Sequence, residues 1–331
     1  MSFLDFLFGR NHKPAPPPPP PVLSKPVHKP KPKPKPGPVP PPVTVARYAG
    51  LNLINFANFS SVTGVIDEVK LIYTGLKKGG AKPLGRIPGG TEANYFRPAT
   101  VQADADDLVR QVANLKTIGA DALLVLNHFT GTTADDVAMM EECKAQGVTV
   151  FAVEGGNEAY LGKYSTTVQA YLAEAQARCA NIKNLYPGTK FGLTIMPAAG
   201  MRDTNNTDPG PAVVEKAREW NAAVTTATFG DFYQQHFYPD GVNLDAALLA
   251  FSAQKFTKPV YITETNCSGT PDQQAQWFNI LTNGIATLSW APVVIWHSGP
   301  TGGNKWTVMR VNIGQDAFAV TPFGQAMLDR R

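Results

Sequence analysis

The chain has 331 residues, 43% of them hydrophobic, and a formal net charge of +4. Residues 1–47 hold 16 of the 29 prolines and eight Lys/Arg against one acid, Asp5, and the remaining 22 Lys/Arg and 25 Asp/Glu make the rest of the chain net negative. A net negative folded part repels phosphate, which argues against a nucleic-acid partner, and without an 18-residue apolar run no membrane-spanning helix is expected.

Residues 1–12 open with MSFLDFLFGR, which places Phe3, Leu4, Leu7 and Phe8 on one helical face. Two readings stand: a short segment docking on a membrane surface or a protein partner, or an apolar but unstructured terminus. It is a poor secretory signal, because Asp5 interrupts it and no small-residue cleavage site follows. Residues 13–45, with Pro16–Pro21 and the alternation Lys29–Pro36, read as an extended polyproline spacer.

From residue 46 to 331, apolar strand-like runs alternate with helical patterns. Strands are expected at Tyr48–Phe56, a short segment ending at Gly85–Pro88, Ala122–Asn127, Val148–Val153, Lys190–Met196, Asp231–Tyr238, Pro259–Thr265 and Pro292–Trp296. Helices are expected at Asp104–Ile118, Thr133–Gln146, Thr166–Tyr186, Pro211–Val224, Leu244–Gln254, Asp272–Leu288 and Thr321–Leu328, with Gly119 and Gly147 as stops. Eight buried strands with intervening helices over about 285 residues predict a parallel (β/α)8 barrel, with its site at the C-terminal strand ends. A doubly wound open sheet is the alternative. No G-x-G-x-x-G follows a strand, so no dinucleotide cofactor is expected.

Two strand-end segments each deliver a carboxylate: Glu154-Gly155-Gly156-Asn157-Glu158 and Tyr261-Ile262-Thr263-Glu264-Thr265-Asn266. Cleavage of a glycosidic bond needs two carboxyl groups, one to protonate the leaving oxygen and one to attack or to activate water. His236 and Tyr238 share a strand face, so both are expected to point into the barrel. The five histidines lack metal-ligand spacing, and Cys143, Cys179 and Cys267 show no C-x-x-C, so no metal site is expected.

With the strands numbered in this way, the chain resembles the clan A glycoside hydrolases, retaining (β/α)8 enzymes with an Asn-Glu acid/base pair after strand four and a nucleophilic Glu ending strand seven. The matching residues are Asn157-Glu158 and Glu264. Arg86-Ile87-Pro88-Gly89-Gly90, Leu124-Val125-Leu126-Asn127 and His236-Phe237-Tyr238-Pro239 look like segments of the branch that contains α-L-arabinofuranosidases and heparanase-like β-glucuronidases.

The resemblance implies an acid/base role for Glu158 and a nucleophilic role for Glu264, kept ionised by donors such as Arg86 and Tyr238. It also implies substrate contacts from Arg86, Asn127, Asn157, His236 and Tyr238, with Trp296 and, less directly, Trp306 stacking on sugar rings. His128, His297 and Glu154 are weaker candidates. Two departures stand out. No accessory β-sandwich segment remains, and the second glycine before Asn157 is expected to loosen the loop that carries Glu158. The expected activity is retaining cleavage of a β-linked poly- or oligosaccharide, with no cofactor. The protein is expected outside the cytoplasm, or on a surface or particle to which its N-terminal arm tethers it. The competing reading is a non-catalytic carbohydrate-binding or structural barrel.

Overall fold

The computed structural model describes residues 48–77, 81–161, 167–197, 211–239, 244, 256–267, 269–284, 292–302 and 307–329. The expected docking segment (1–12), the proline-rich spacer (13–45), Trp306 and most of the expected helix Leu244–Gln254 lie outside them.

Eight strands form a closed parallel barrel in chain order. They are β1 (Tyr48–Asn52), β2 (Lys82–Ile87), β3 (Asp121–Val125), β4 (Val150–Glu154), β5 (Lys190–Thr194), β6 (Phe232–Phe237), β7 (Val260–Thr265) and β8 (Val293–Trp296). β1 pairs with both β2 and β8, which leaves no open edge. The doubly wound alternative is therefore ruled out.

Around the barrel run α1 (Phe56–Phe59), α2 (Val65–Lys77), α3 (Gln102–Ile118), α4 (Thr133–Gln146), α5 (Val168–Leu185), α6 (Pro211–Thr225), α7 (Pro271–Gly284) and α8 (Pro322–Leu328). The helix ends follow local chemistry. Thr132 and Asp135 form a capping box at the start of α4, and Gly147, with φ 73°, closes it in the left-handed conformation. The first expected strand is cut short at Asn52, because Asn55 adopts φ 49° and the chain turns into α1.

Two pieces of structure were not expected. α2 buries Val65, Val69, Ile72, Tyr73 and Leu76 on one face, but Gly75 weakens its helical pattern. That glycine is needed, since a Cβ there would lie 1.9 Å from the Met327 carbonyl oxygen in α8. The second piece is a small sheet after β8, made of β9 (Pro300–Thr301), β10 (Met309–Asn312) and β11 (Ala317–Val320). Strands of two to four residues are too short to show a period.

The core has two layers. Between barrel and helices lies a continuous apolar shell that includes Leu51, Leu124, Val153, Ile262, Trp277 and Phe323. Inside the barrel, Leu84, Leu123, Ala152, Phe232, Tyr261, Val293 and Ile295 form a separate plug. The Phe232 and Tyr261 rings stack at 3.9 Å within it. This plug closes the lower lumen, so polar side chains one layer up face the C-terminal mouth.

Candidate active site

The polar layer grows directly out of the plug. Side chains alternate along a strand, so the residue two beyond each plug residue also faces the lumen. Leu84 leads to Arg86, Ala152 to Glu154, Phe232 to Gln234 and then His236, and Ile295 to His297. Asn52 faces the same way, in register with Arg86.

β7 breaks the alternation. Tyr261 pairs with Gln234, yet Glu264 pairs with His236, so β7 uses three residues where β6 uses two. This bulge turns Glu264 into the lumen, where uninterrupted alternation from Tyr261 would have placed Thr263.

Arg86 organises the site. It is fully buried and uses every guanidinium N–H. Nε and Nη2 form a bidentate pair with Glu154 at 2.8 and 2.9 Å. Nη1 donates to Asn52 Oδ1 and Glu264 Oε2, both at 3.0 Å. Nη2 also donates to Asn157 Oδ1 at 2.8 Å. Burial opposes the Arg86 charge, but Glu154 and then Glu264 outweigh it and raise the pKa, so Arg86 remains a cation.

Glu264 accepts three hydrogen bonds, and a fourth polar group stands nearby. Asn52 Nδ2 donates to Oε2 at 2.8 Å beside the Arg86 bond, the Tyr238 hydroxyl donates to Oε1, and His297 Nδ1 stands 3.7 Å from Oε1. Burial would raise the Glu264 pKa. The His236, His297 and Arg86 fields and the Tyr238 hydrogen bond outweigh it and push the pKa from 4.5 down to about 2. Burial, and then the Glu264 charge, raise the Tyr238 pKa well above its ordinary value, so its hydroxyl stays a donor.

A lowered folded-state pKa stabilises the fold above the ordinary carboxylate range, and that contribution is lost as pH falls from about 4.5 towards about 2. Urea unfolding of the parent and Glu264→Gln between about pH 7 and about pH 2 should show the parent's stability relative to the variant falling by a few kcal/mol on acidification. A difference that stays constant over that range would refute this electrostatic account.

Glu158 sits in the loop after β4, with its own φ at 47° and its side chain 24% exposed. Its Oε1 lies 3.1 Å from His236 Nδ1 and 3.5 Å from the Tyr160 hydroxyl. The loop is pinned, not loosened. The Gly156 carbonyl accepts from Thr194 Oγ1 at 3.1 Å and from Gln234 Nε2. Gly156 itself has φ 136°, and a Cβ there would lie 2.5 Å from His128 Nδ1. The glycine expected to add freedom is the residue that lets this loop close on His128.

The hydrogen bonds orient both imidazoles. His236 Nδ1 stands 3.1 Å from the Glu158 carboxylate and donates to it; burial opposes a charge on this ring, but the Glu264 charge and the Glu158 hydrogen bond outweigh it and raise the pKa. His297 Nδ1 is 3.1 Å from Asn52 Nδ2, which has only hydrogens to offer, so this nitrogen accepts and Nε2 is protonated. Burial lowers the His297 pKa, so this ring becomes a cation, and adds its field at Glu264, only in the acid range where Glu264 titrates.

Of the residues singled out from sequence, Glu158, Glu264, Arg86, Asn157, His236 and Tyr238 converge on one site. Two do not. Trp296 points outward because β8 places Val293 and Ile295 inside, and its ring packs against Phe278 of α7 at 5.0 Å and Phe323 of α8 at 6.0 Å. Asn127 holds a loop. Its Oδ1 accepts from the Phe129 and Thr130 N–H groups, and its Nδ2 donates to the Phe96 carbonyl and Thr130 Oγ1.

His128 is a buried ring against Gly156 and Tyr171, its pKa lowered to about 4 by burial and Arg178. Glu154 and His297 prove more central than their weak sequence signals. Asn52 and Tyr160 carried none beyond their places at the end of β1 and two residues after Glu158. Among the described residues no group of His, Cys, Asp or Glu is arranged to hold a metal ion.

No family model matches the sequence, and no curated protein is significantly similar to it. Solved structures do match. The α-L-arabinofuranosidase of Thermotoga maritima, in an arabinose complex, superposes with a TM-score of 0.55 at 15% identity over 78% of this chain. The family 51 α-L-arabinofuranosidase of Thermotoga petrophila gives 0.58 at 14% identity, covering 86% of this chain and 69% of that one.

The barrel shares its (β/α)8 fold with these solved structures. A family 128 exo-β-1,3-glucanase of Aureobasidium namibiae gives 0.54 at 11% identity over 87% of this chain and 96% of its own. This chain spans 63% of the length of the Thermotoga maritima enzyme. The same barrel fold thus occurs both in longer proteins and in one of nearly this extent.

Proposed function

We propose that the protein is a glycosidase that cleaves a β-linked poly- or oligosaccharide with retention, by double displacement through two glutamates. The observation that carries this reading is the bridge at His236. Its Nδ1 stands 3.1 Å from Glu158 Oε1 and 4.0 Å from Glu264 Oε2, so the two oxygens are separated by at most the sum of these distances, about 7 Å. Both carboxyl groups thus flank one imidazole, near enough to act on a single glycosidic bond, as the two-carboxylate mechanism requires.

Glu264 is the nucleophile in this scheme. Oε2 already takes two donors, from Asn52 and Arg86, so Oε1 offers its lone pair to the anomeric carbon as the bond to the leaving oxygen breaks. Glu158 gives that oxygen its proton. Its contacts among the described residues fall on Oε1, which leaves Oε2 for the proton transfer. Water then attacks the glycosyl-enzyme, and Glu158 takes the water's proton back. Asn157 spends Oδ1 on Arg86, which frees its Nδ2 to donate to the sugar 2-hydroxyl.

The test is proton NMR of the first-formed product from a panel of aryl β-glycosides and polysaccharides, using the full chain and Glu158→Ala. The expected product keeps the anomeric configuration, and Glu158→Ala loses about 10²–10⁴-fold in kcat/KM, least on substrates with acidic leaving groups. An inverted first product, or no turnover on any member, overturns the proposal.

A further inference from the structure

Among the described residues, the large hydrophobic side chains that stand exposed are aliphatic except for two, Tyr95 at 53% and Phe129 at 40%. They are neighbours, with ring centroids 5.7 Å apart and planes at 90°. Tyr95 follows the 3-10 turn Gly90–Asn94 after β2, and Phe129 lies in the loop after β3, so both belong to the C-terminal rim that carries the polar site.

Their setting is built, not loose. The buried Asn127 amide grips both backbones, accepting from Phe129 N–H at 3.1 Å and donating to the Phe96 carbonyl at 3.1 Å. Thr130 Oγ1 reaches the Asn94 carbonyl at 3.3 Å. Gly131 leaves no slack, since a Cβ there would lie 2.5 Å from the Asn127 carbonyl oxygen. The corner also adjoins the site, because His128, next to Phe129, packs on Gly156 in the loop that carries Glu158. Both rings thus stay partly exposed on a loop whose backbone is held in place, instead of folding into the core.

We infer that the Tyr95–Phe129 corner is a subsite for a further sugar unit of an extended glycan, beyond the unit held at the two glutamates. A sugar ring has a C–H-rich face that packs flat on an aromatic ring, and a second ring at a right angle bounds its edge. This assignment rests on the glycosidase reading for the identity of the ligand. It makes the substrate an oligo- or polysaccharide that spans the rim, and a glycoside with a small aglycone a poor one. The aromatic surface expected from Trp296 is thus supplied by loops two and three, while Trp296 itself packs between barrel and helices.

The experiment measures binding and turnover separately. Calorimetric titration of Glu264→Gln with cello-, xylo-, arabino- and laminari-hexaoses is repeated with Tyr95→Ala and Phe129→Ala added. Each ring removed should weaken the best-bound hexaose about tenfold, while kcat/KM of Tyr95→Ala and Phe129→Ala in the otherwise unaltered chain, measured on an aryl monoglycoside, stays within about twofold of the parent. Equal losses on hexaose and monoglycoside would make the rings merely structural and overturn the inference. Failure of every hexaose to bind, hexaose binding unaffected by either substitution, or an oligomeric state that changes with them would also overturn it. Hexaose binding that falls in the variants of a protein with no turnover would leave the subsite standing and remove the glycosidase reading instead.

Discussion

Glu264→Ala is expected to lower turnover of a good aryl glycoside by about 10⁴–10⁶-fold, the scale seen when a covalent nucleophile is deleted. The alanine leaves a space beside Asn52, Arg86 and Tyr238, three donors that surrounded the carboxylate. A small anion can enter that space and attack the anomeric carbon directly. Added azide should therefore restore turnover and give a glycosyl azide of inverted configuration. In Glu158→Ala, azide should attack the glycosyl-enzyme and give a product of retained configuration. The two stereochemical outcomes distinguish the two glutamates in a way that loss of activity alone does not. Glycosyl azide of the same configuration from both variants would show that the roles are wrongly assigned.

Arg86→Met should destabilise the fold by about 3–5 kcal/mol, because it leaves Glu154 buried without its bidentate partner. Glu154 and Arg86 are both 0% exposed, so water cannot replace the lost contact cheaply. Combining Arg86→Met with Glu154→Gln removes the orphaned charge and should recover more than half of the loss. Urea unfolding of the two single variants and the double variant closes this cycle. If Arg86→Met unfolds within about 1 kcal/mol of the parent, Arg86 is not the cation that holds the layer together. The same loss should lower catalysis separately from stability, since Arg86 also orients Asn157 and Glu264.

The strand-helix alternation, all eight barrel strands and the sites of Glu158 and Glu264 after β4 and at the end of β7 were legible in the sequence. Hydrophobic period, helix-stopping Gly119 and Gly147 and the polar ends of apolar runs are local signals, and local sterics enforce them. The face each side chain takes at the mouth was not legible. The β7 bulge that turns Glu264 inward depends on pairing with β6, and the outward turn of Trp296 depends on Val293 and Ile295 filling the lumen.

The sequence also could not say how Arg86 would divide its hydrogen bonds. Glu264 is its nearest functional partner by resemblance, yet Glu154 takes the bidentate face because the two strand ends meet across the lumen. Asn52 was invisible for the same reason. Its partner His297 is 245 positions away, and the two meet only because β1 closes the barrel against β8. By itself, then, the sequence determined the eight barrel strands, their order and the positions of the two glutamates, but not α2 or the small β9–β11 sheet, since the former depend on neighbours along the chain. The tertiary structure decided which polar groups share one buried charge network, since barrel closure and strand register bring together residues that no local pattern links.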